Sequence, residues 1–174
     1  PFVLNATQPN EGGASFVVTM DATTPMESVS FEAGAAQEVL FESRNANAPV
    51  VWRLAQGVPP HGMFFDPTTA RLHGSANQTG TFSLVIQATD AIGLTADVAL
   101  TLDVSQPSTG LVEMASPFLG VGSPSAELRA FLDYQGNRNG SYDLADFRMY
   151  VLANPGAPRQ ALALRAAGPI TISL

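Results

Sequence analysis

The chain contains no cysteine and no lysine, so all 8 of its Lys+Arg positions are arginine. Without thiols it can form neither a disulfide nor a thiolate metal site, and cysteine usage leaves the redox compartment open. Charge is also sparse: 13% of residues are charged and the formal net charge is -7. Nothing here would neutralise a run of phosphates, which excludes nucleic acid as an expected partner. No apolar run approaches the roughly 18 residues that span a bilayer, and residues 1–20 lack the basic start of a signal peptide. If the protein is exported, the signal is expected to have been removed already. The motifs G-x-S-x-G, H-E-x-x-H, G-x-G-x-x-G and the P-loop are all missing, and no carboxylate pair can be pointed to, so an enzyme is not expected. The lack of lysine beside abundant Ala, Gly and Pro suggests a GC-rich bacterial gene.

What is present suits a folded protein. The 174 residues, 45% of them hydrophobic, can bury one good core or two modest ones. Phe82, Leu84, Ile86 and Ala88 share one face of a strand. After the turn at Asp90-Ala91-Ile92-Gly93, residues Ala96, Val98, Leu100, Leu102 and Val104 alternate with polar or small residues. This period of two predicts an antiparallel hairpin with one buried face. Val39 to Phe41, Val50 to Leu54 and Met63 to Phe65 read as further short strands separated by Asn/Pro/Gly-rich connections. Short strands at this spacing predict a β-sandwich.

Trp52, Leu54, Gly57, Pro60, Gly62, Asp66, Thr69, Gly74, Gly80, Thr81, Ala88 and Asp90 follow the pattern W-x-L, G-x-L-P-x-G, D-x-x-T, G, G-T and A-x-D. In this, residues 27–105 resemble the putative-Ig, cadherin-like repeats of large bacterial surface proteins, with Ala70 and Ala76 standing where those repeats usually have Gly and Pro. Residues 2–25 also overlay 84–107 without a gap, at an offset of 82, pairing Ala14, Phe16, Val18, Met20 and Ala22 with Ala96, Val98, Leu100, Leu102 and Val104. The overlay predicts that residues 1–24 are the closing hairpin of a partial preceding repeat. Two strands alone are marginal in water, so their apolar face needs cover from the following sandwich or from a neighbour.

Residues 107–122 read as a linker. Beyond it, Ser123 before Pro124 predicts a helix start, and Leu128, Phe131 and Leu132 form its apolar stripe. A second helix is expected from Asp143, with Leu144, Phe147, Tyr150 and Val151 on one face, ending before Asn154-Pro155-Gly156. Residues 157–174 read as a tail with a final strand at Pro169-Ile170-Thr171-Ile172-Ser173-Leu174. The expected fold class is therefore mainly β, an Ig-like or cadherin-like antiparallel β-sandwich (25–106) followed by a small helix-loop-helix segment (123–156).

Between the two helices runs Gly136-Asn137-Arg138-Asn139-Gly140-Ser141-Tyr142-Asp143-Leu144-Ala145-Asp146. Helix, oxygen-rich loop with a central Gly, and helix is the EF-hand order, in which a flexible shell of six to eight oxygens takes calcium. With Gly140 at the sixth position, Asn137 and Asn139 take the third and fifth, Ser141 the seventh through its carbonyl, Asp143 the ninth and Asp146 the twelfth. Gln135 would be first. Asp133 supplies the carboxylate instead if the loop entry is lengthened. The stretch resembles the calcium-binding half of a dockerin repeat, although dockerins carry two such loops and a single one is found here. The resemblance implies calcium as cofactor. It also implies Leu144 and Ala145, at the tenth and eleventh positions, as residues that read a protein partner; with Phe147 and Arg148 they are expected to face a partner or the chain's own sandwich. With two Asn in place of carboxylates, affinity is expected at the weak end, on the order of 10⁻⁴ to 10⁻³ M.

Asp66, Asp90 and Asp103 stand near repeat boundaries, where cadherins bind calcium, but the paired acidic motifs are absent. His61 and His73 read as solvated loop residues without ligand spacing. The expectation is a non-catalytic, extracytoplasmic bacterial module that interacts with another protein or with a neighbouring domain of a larger assembly. The alternatives are the C-terminal appendage of a secreted hydrolase and an accessory subunit of a larger envelope or membrane complex.

Overall fold

The computed structural model describes residues 3–5, 14–18, 27–44 and 46–155, with side chains described over 28–43 and 46–155. The chain divides into two compact units, Pro1–Pro107 and Ser108–Leu174.

The first unit is a sandwich of two sheets. One contains β1 (Val3–Asn5), β2 (Ala14–Val18), β4 (Ala36–Arg44), β6 (Met63–Asp66) and β7 (Arg71–Ser75), in the order β1-β4-β7-β6 with β2 also on β4. The other runs β3 (Glu27–Glu32), β9 (Thr95–Ser105), β8 (Gly80–Thr89), β5 (Val51–Gln56). The β8–β9 hairpin is continuous from Gly80↔Val104 to Thr89↔Thr95. Its inward residues Leu84, Ile86, Ala88, Val98, Leu100 and Leu102 are buried, as the alternation predicts. Val39, Phe41, Met63 and Leu72 of the other sheet are buried as well, and the Trp52 ring lies 6.3 Å from that of Phe41. Burying each large side chain contributes roughly 1.5–3 kcal/mol, so this layer is what holds the sandwich together.

Pairing is mainly antiparallel, but β3 runs parallel to β9 and β2 parallel to β4. Strands β1 and β2, which fall in the stretch expected to form a hairpin, are both paired with β4. Within the described residues, β1 pairs antiparallel with Glu42 to Arg44 and β2 pairs with Gln37 to Phe41, both on β4. The physical reason is the edge of β4: β7 occupies one side of residues 36–40, and the other side would leave a long row of unpaired N–H and C=O groups. Met20 and Ala22 of the overlay lie outside the described residues.

Several residues of the repeat pattern have visible structural work. Gly62 and Gly74 lie back to back, both with positive φ. A Cβ at Gly74 would sit 2.2 Å from the Gly62 carbonyl oxygen, and one at Gly62 would sit 2.1 Å from that of Ser75. The Asp66 carboxylate accepts from the Thr68 N–H at 2.8 Å and the Thr69 hydroxyl at 2.6 Å, which holds the β6–β7 turn and lowers the Asp66 pKa. The turn ends at Ala70, whose φ of 52° explains why glycine is usual there. Ala70 is nevertheless buried, so Ala70→Gly loses about 0.8 kcal/mol of methyl burial and relieves left-handed strain of roughly 1–2 kcal/mol. These terms and the added chain entropy of Gly nearly cancel. Ala70→Gly is expected to shift thermal stability by less than about 0.5 kcal/mol, whereas Ala88→Gly, also a buried alanine but in a strand, costs about 1.5 kcal/mol. Parallel melts followed by the single tryptophan check this.

The second unit contains α1 (Leu111–Leu119), α2 (Ala126–Gln135) and α3 (Leu144–Ala153). Helix α1 replaces most of the expected linker. Leu111, Met114, Ala115 and Phe118 recur at helical spacing and Met114 is buried, so the segment has a core face. It ends at Gly120 in the left-handed conformation, with the Val121 N–H donating to the Ser116 carbonyl at 3.2 Å. The α2 cap is Ser125, not Ser123, and its hydroxyl accepts from the Leu128 N–H at 3.1 Å. Leu128, Phe131 and Leu132 are buried, and Phe131 meets Tyr150 of α3 edge-on at 6.1 Å. The expected final strand in residues 169–174 lies outside the described residues.

Candidate functional site

The loop between α2 and α3 is held by its own oxygens. Asp133, in the last turn of α2, accepts from the Gly140 N–H with both carboxylate oxygens, at 3.2 and 3.3 Å. The Asn137 side-chain oxygen accepts from the Asn139 N–H at 3.0 Å, and that of Asn139 accepts from the Ser141 N–H at 2.9 Å. Asp143 caps α3: Oδ1 accepts from the Ala145 N–H at 2.7 Å and the Asp146 N–H at 3.4 Å. Its Oδ2 accepts from the Asn139 amide at 3.0 Å and the Asn137 amide at 3.4 Å. These donors, the Asn139 amide first, lower the Asp143 pKa.

Asp146 is the keystone. It is 0% exposed, with Oδ2 accepting from the Asp143 N–H and Oδ1 from the Asn137 N–H, both at 2.8 Å. One carboxylate thus ties the start of α3 to the start of the loop and completes a capping box. Gly136 makes room for it, because a Cβ there would lie 2.1 Å from Asp146 Oδ1 and 2.7 Å from its Cα. Arg138 adopts a positive φ of 57°, donates from Nε to the Tyr134 carbonyl at 2.9 Å and lays its guanidinium over the Tyr134 ring at 4.3 Å.

Of the six sequence-nominated residues, Asn137, Asn139, Ser141 and Asp143 lie in the loop, Asp133 in the last turn of α2 and Asp146 in the first turn of α3. Their donor atoms are carboxylate, amide and carbonyl oxygens, a set that fits a hard cation such as calcium. The acidic groups face backbone N–H and asparagine amide donors, however, and among the described residues no three His, Cys, Asp or Glu side chains converge as a metal cluster.

The residues nominated for partner contact separate. Leu144, Ala145 and Arg148 are exposed, with Leu144 at 61%, so Leu144 does not share the face of buried Tyr150 with which its spacing grouped it. Phe147 turns inward instead, its ring 5.8 Å from Phe118 of α1. Met149 and Leu152, the latter 69% exposed, extend the outer stripe and were missed by the sequence reading, although their spacing from Leu144 and Ala145 marks the same face. Tyr142 was also missed. Its hydroxyl donates to the Met114 carbonyl of α1 at 2.7 Å, its ring lies 5.5 Å from Phe118, and burial, aided by the Asp146 charge, pushes its pKa up to about 12.

The other nominated residues serve the sandwich. Asp90 is buried and accepts from the Asn47 side chain at 2.9 Å and the Ile92 and Leu94 N–H groups at 3.0 and 2.8 Å, so it closes the β8–β9 turn. Asp103 accepts from Thr81 and Ser28 hydroxyls at 2.8 and 3.2 Å. His73 stands exposed on β7 rather than in a loop, and His61 lies in the turn before β6. Among the described residues no helix is long and apolar enough to cross a membrane.

Comparison with known proteins adds the family. No curated protein sequence matches the chain. Among solved structures, it is similar to a putative α-galactosidase/melibiase from Bacteroides fragilis NCTC 9343, at 17% identity and TM-score 0.41 over 64% of this chain and 28% of that one. It is also similar to extracellular cadherin domains 3-6 of protocadherin gamma B2, at 10% identity and TM-score 0.40 over 50% of this chain and 22% of that one. A third is human CDH23 EC21-23, at 13% identity and TM-score 0.36 over 48% and 31%. The chain thus spans less than a third of the length of each. The family model described as "Putative Ig domain" matches residues 1–105, which takes in every described strand of the sandwich, and the chain belongs to that family.

Proposed function

We propose that the protein is a non-catalytic, extracytoplasmic interaction module of a bacterium, in which an Ig-like domain carries a calcium-ordered, dockerin-like helix-loop-helix that docks onto another protein. Membership of the Ig domain family supports the interaction role. The observation that carries the finer reading is the buried Asp146 carboxylate, which joins both ends of an oxygen-rich loop at the first turn of α3, the helix that carries the exposed stripe. Asp133, Asn137, Asn139, Asp143 and Asp146 through their side chains, and Ser141 through its carbonyl, would hold the ion. Calcium would supply a fixed charge at the loop's centre. The protein's part is to set the angle between α2 and α3 and so to present Leu144, Ala145, Arg148, Met149 and Leu152 as one surface.

Calorimetric titration with calcium, paired with thermal melting, tests this. The expected result is binding of one ion with a dissociation constant on the order of 10⁻⁴ to 10⁻³ M. At saturating calcium the tyrosine-reported melt should rise, and Asp146→Ala should abolish both effects. A melt that ignores calcium and chelator alike would sink the calcium reading.

A further inference from the structure

Asn139-Gly140 is the sequence's single Asn-Gly pair, and both residues are exposed in the α2–α3 loop. Glycine has no side chain to shield its nitrogen, and a Cβ built at Gly140 would meet nothing within 4 Å, so the pair is open to water. In such a pair the Gly140 nitrogen can attack Asn139 Cγ. The N–Cγ bond forms, the Cγ–Nδ2 bond breaks, and Nδ2 leaves as ammonia with the proton that Gly140 gives up. Water then opens the cyclic imide at either carbonyl and leaves an aspartyl or an isoaspartyl residue. No other reactant is needed.

The closed loop opposes each part of this step. The Gly140 N–H donates to both Asp133 carboxylate oxygens, at 3.2 and 3.3 Å, and their negative charge disfavours loss of its proton. The Asn139 amide is tied at both ends, with Oδ1 accepting from the Ser141 N–H at 2.9 Å and Nδ2 donating to Asp143 Oδ2 at 3.0 Å. The side chain cannot turn, nor its nitrogen leave, until those bonds part. The product does not fit the same bonds: a carboxylate has no N–H for Asp143 Oδ2 and adds a negative charge beside Asp133 and Asp143. An isoaspartyl linkage also lengthens the main chain just before the Gly140 N–H.

We infer that Asn139 is a deamidation site gated by the loop: it reacts from the opened loop, and its product keeps the loop from closing again. A transient opening between α2 and α3 is thereby recorded as a permanent covalent change. The inference is independent of any bound ion.

The test incubates the full chain at neutral pH with a chelator present, folded in buffer or unfolded in urea, and peptide mapping separates the Asn, Asp and isoAsp forms of residue 139. The folded chain should deamidate there at least about tenfold more slowly than the unfolded one. Asp133→Ala frees the Gly140 N–H, and Asp143→Ser keeps a capping hydroxyl for α3 while removing the acceptor of the Asn139 amide. Whichever of the two retains its helices by circular dichroism should deamidate in buffer at least about threefold faster than wild type. Asn139→Asp, which installs the product directly, should raise hydrogen exchange over residues 137–146 at least about threefold. Equal rates in buffer and urea, or a folded variant that reacts no faster than wild type, would overturn the gating. An Asn139 that stays intact in urea overturns the site itself, and unchanged exchange in Asn139→Asp overturns the locking of the loop.

Discussion

Phe131→Ala is expected to unfold the helical unit at temperatures where the Ig-like unit remains folded. Phe131 is 0% exposed, is flanked by buried Leu128 and Leu132, and meets Tyr150 edge-on. Truncating a fully buried phenylalanine costs about 3–5 kcal/mol, because the transfer energy is lost and a cavity remains. A unit built on three short helices has only a few kcal/mol of net stability to lose. The chain itself supplies the measurement: its single tryptophan, Trp52, lies in β5, and its 3 tyrosines, Tyr134, Tyr142 and Tyr150, all lie in the helical unit. The tyrosine transition should drop by tens of degrees or disappear while the tryptophan transition stays put. If both transitions move together, or neither does, the two units do not fold as separate cores.

Gly136→Ala should do nearly as much damage through one methyl group. The added Cβ would be placed against the Cα and Cβ of Asp146, each 2.7 Å away, and backbone cannot swing aside as a side-chain tip can. To make room, the first turn of α3 must shift, and the Asp146 bond to the Asn137 N–H is lost. Overpacking of 1–3 kcal/mol plus a charged hydrogen bond of roughly 1.5–3 kcal/mol gives a loss of about 3–5 kcal/mol. Denaturant unfolding followed by tyrosine fluorescence measures it. A variant as stable as wild type would show that the close approach between Gly136 and Asp146 is not a feature of the folded protein in solution.

The β8–β9 hairpin could be read in advance because its alternation runs unbroken over long strands and because one face is buried against the other sheet. Strand β3 carried the same signal, with Val29 and Phe31 inward between Ser28, Ser30 and Glu32, but on a segment too short to stand out. β7 gave almost none: Leu72 is its single deeply buried side chain, and Gly74 is there for the close approach to Gly62. The pairing of β1 and β2 could not be read at all, since a strand's pattern marks its faces and not which edge it will join. Helix α1 was hidden by Ser116, Pro117 and Gly120, residues that read as a turn and in fact form its last turn and stop.

The loop's oxygen-rich composition was legible in the sequence. Its spacing brought out the oxygen donors, but not what the donors face. That depends on the two helices converging and on Gly136, a residue that contributes no polar atom. Spacing groups Leu144 with Phe147, Tyr150 and Val151, whereas α3 turns Tyr150 and Asp146 inward and leaves Leu144 out. Tyr142 looked like an incidental aromatic among polar residues, and only the position of α1 gives its hydroxyl a partner.

The arrangement around β4 has a consequence for how the protein behaves in a crowd. β4 is nine residues long, the sort of strand whose bare edge would template pairing with a neighbouring molecule. With β7 on one side and β1 and β2 on the other, that edge is closed from within the chain. The outer strands of its sheet are then β1, β2 and β6, of three, five and four residues, and Pro67, which has no N–H to offer a partner strand, follows β6 directly. The longest strand of that sheet is thereby withdrawn from self-association.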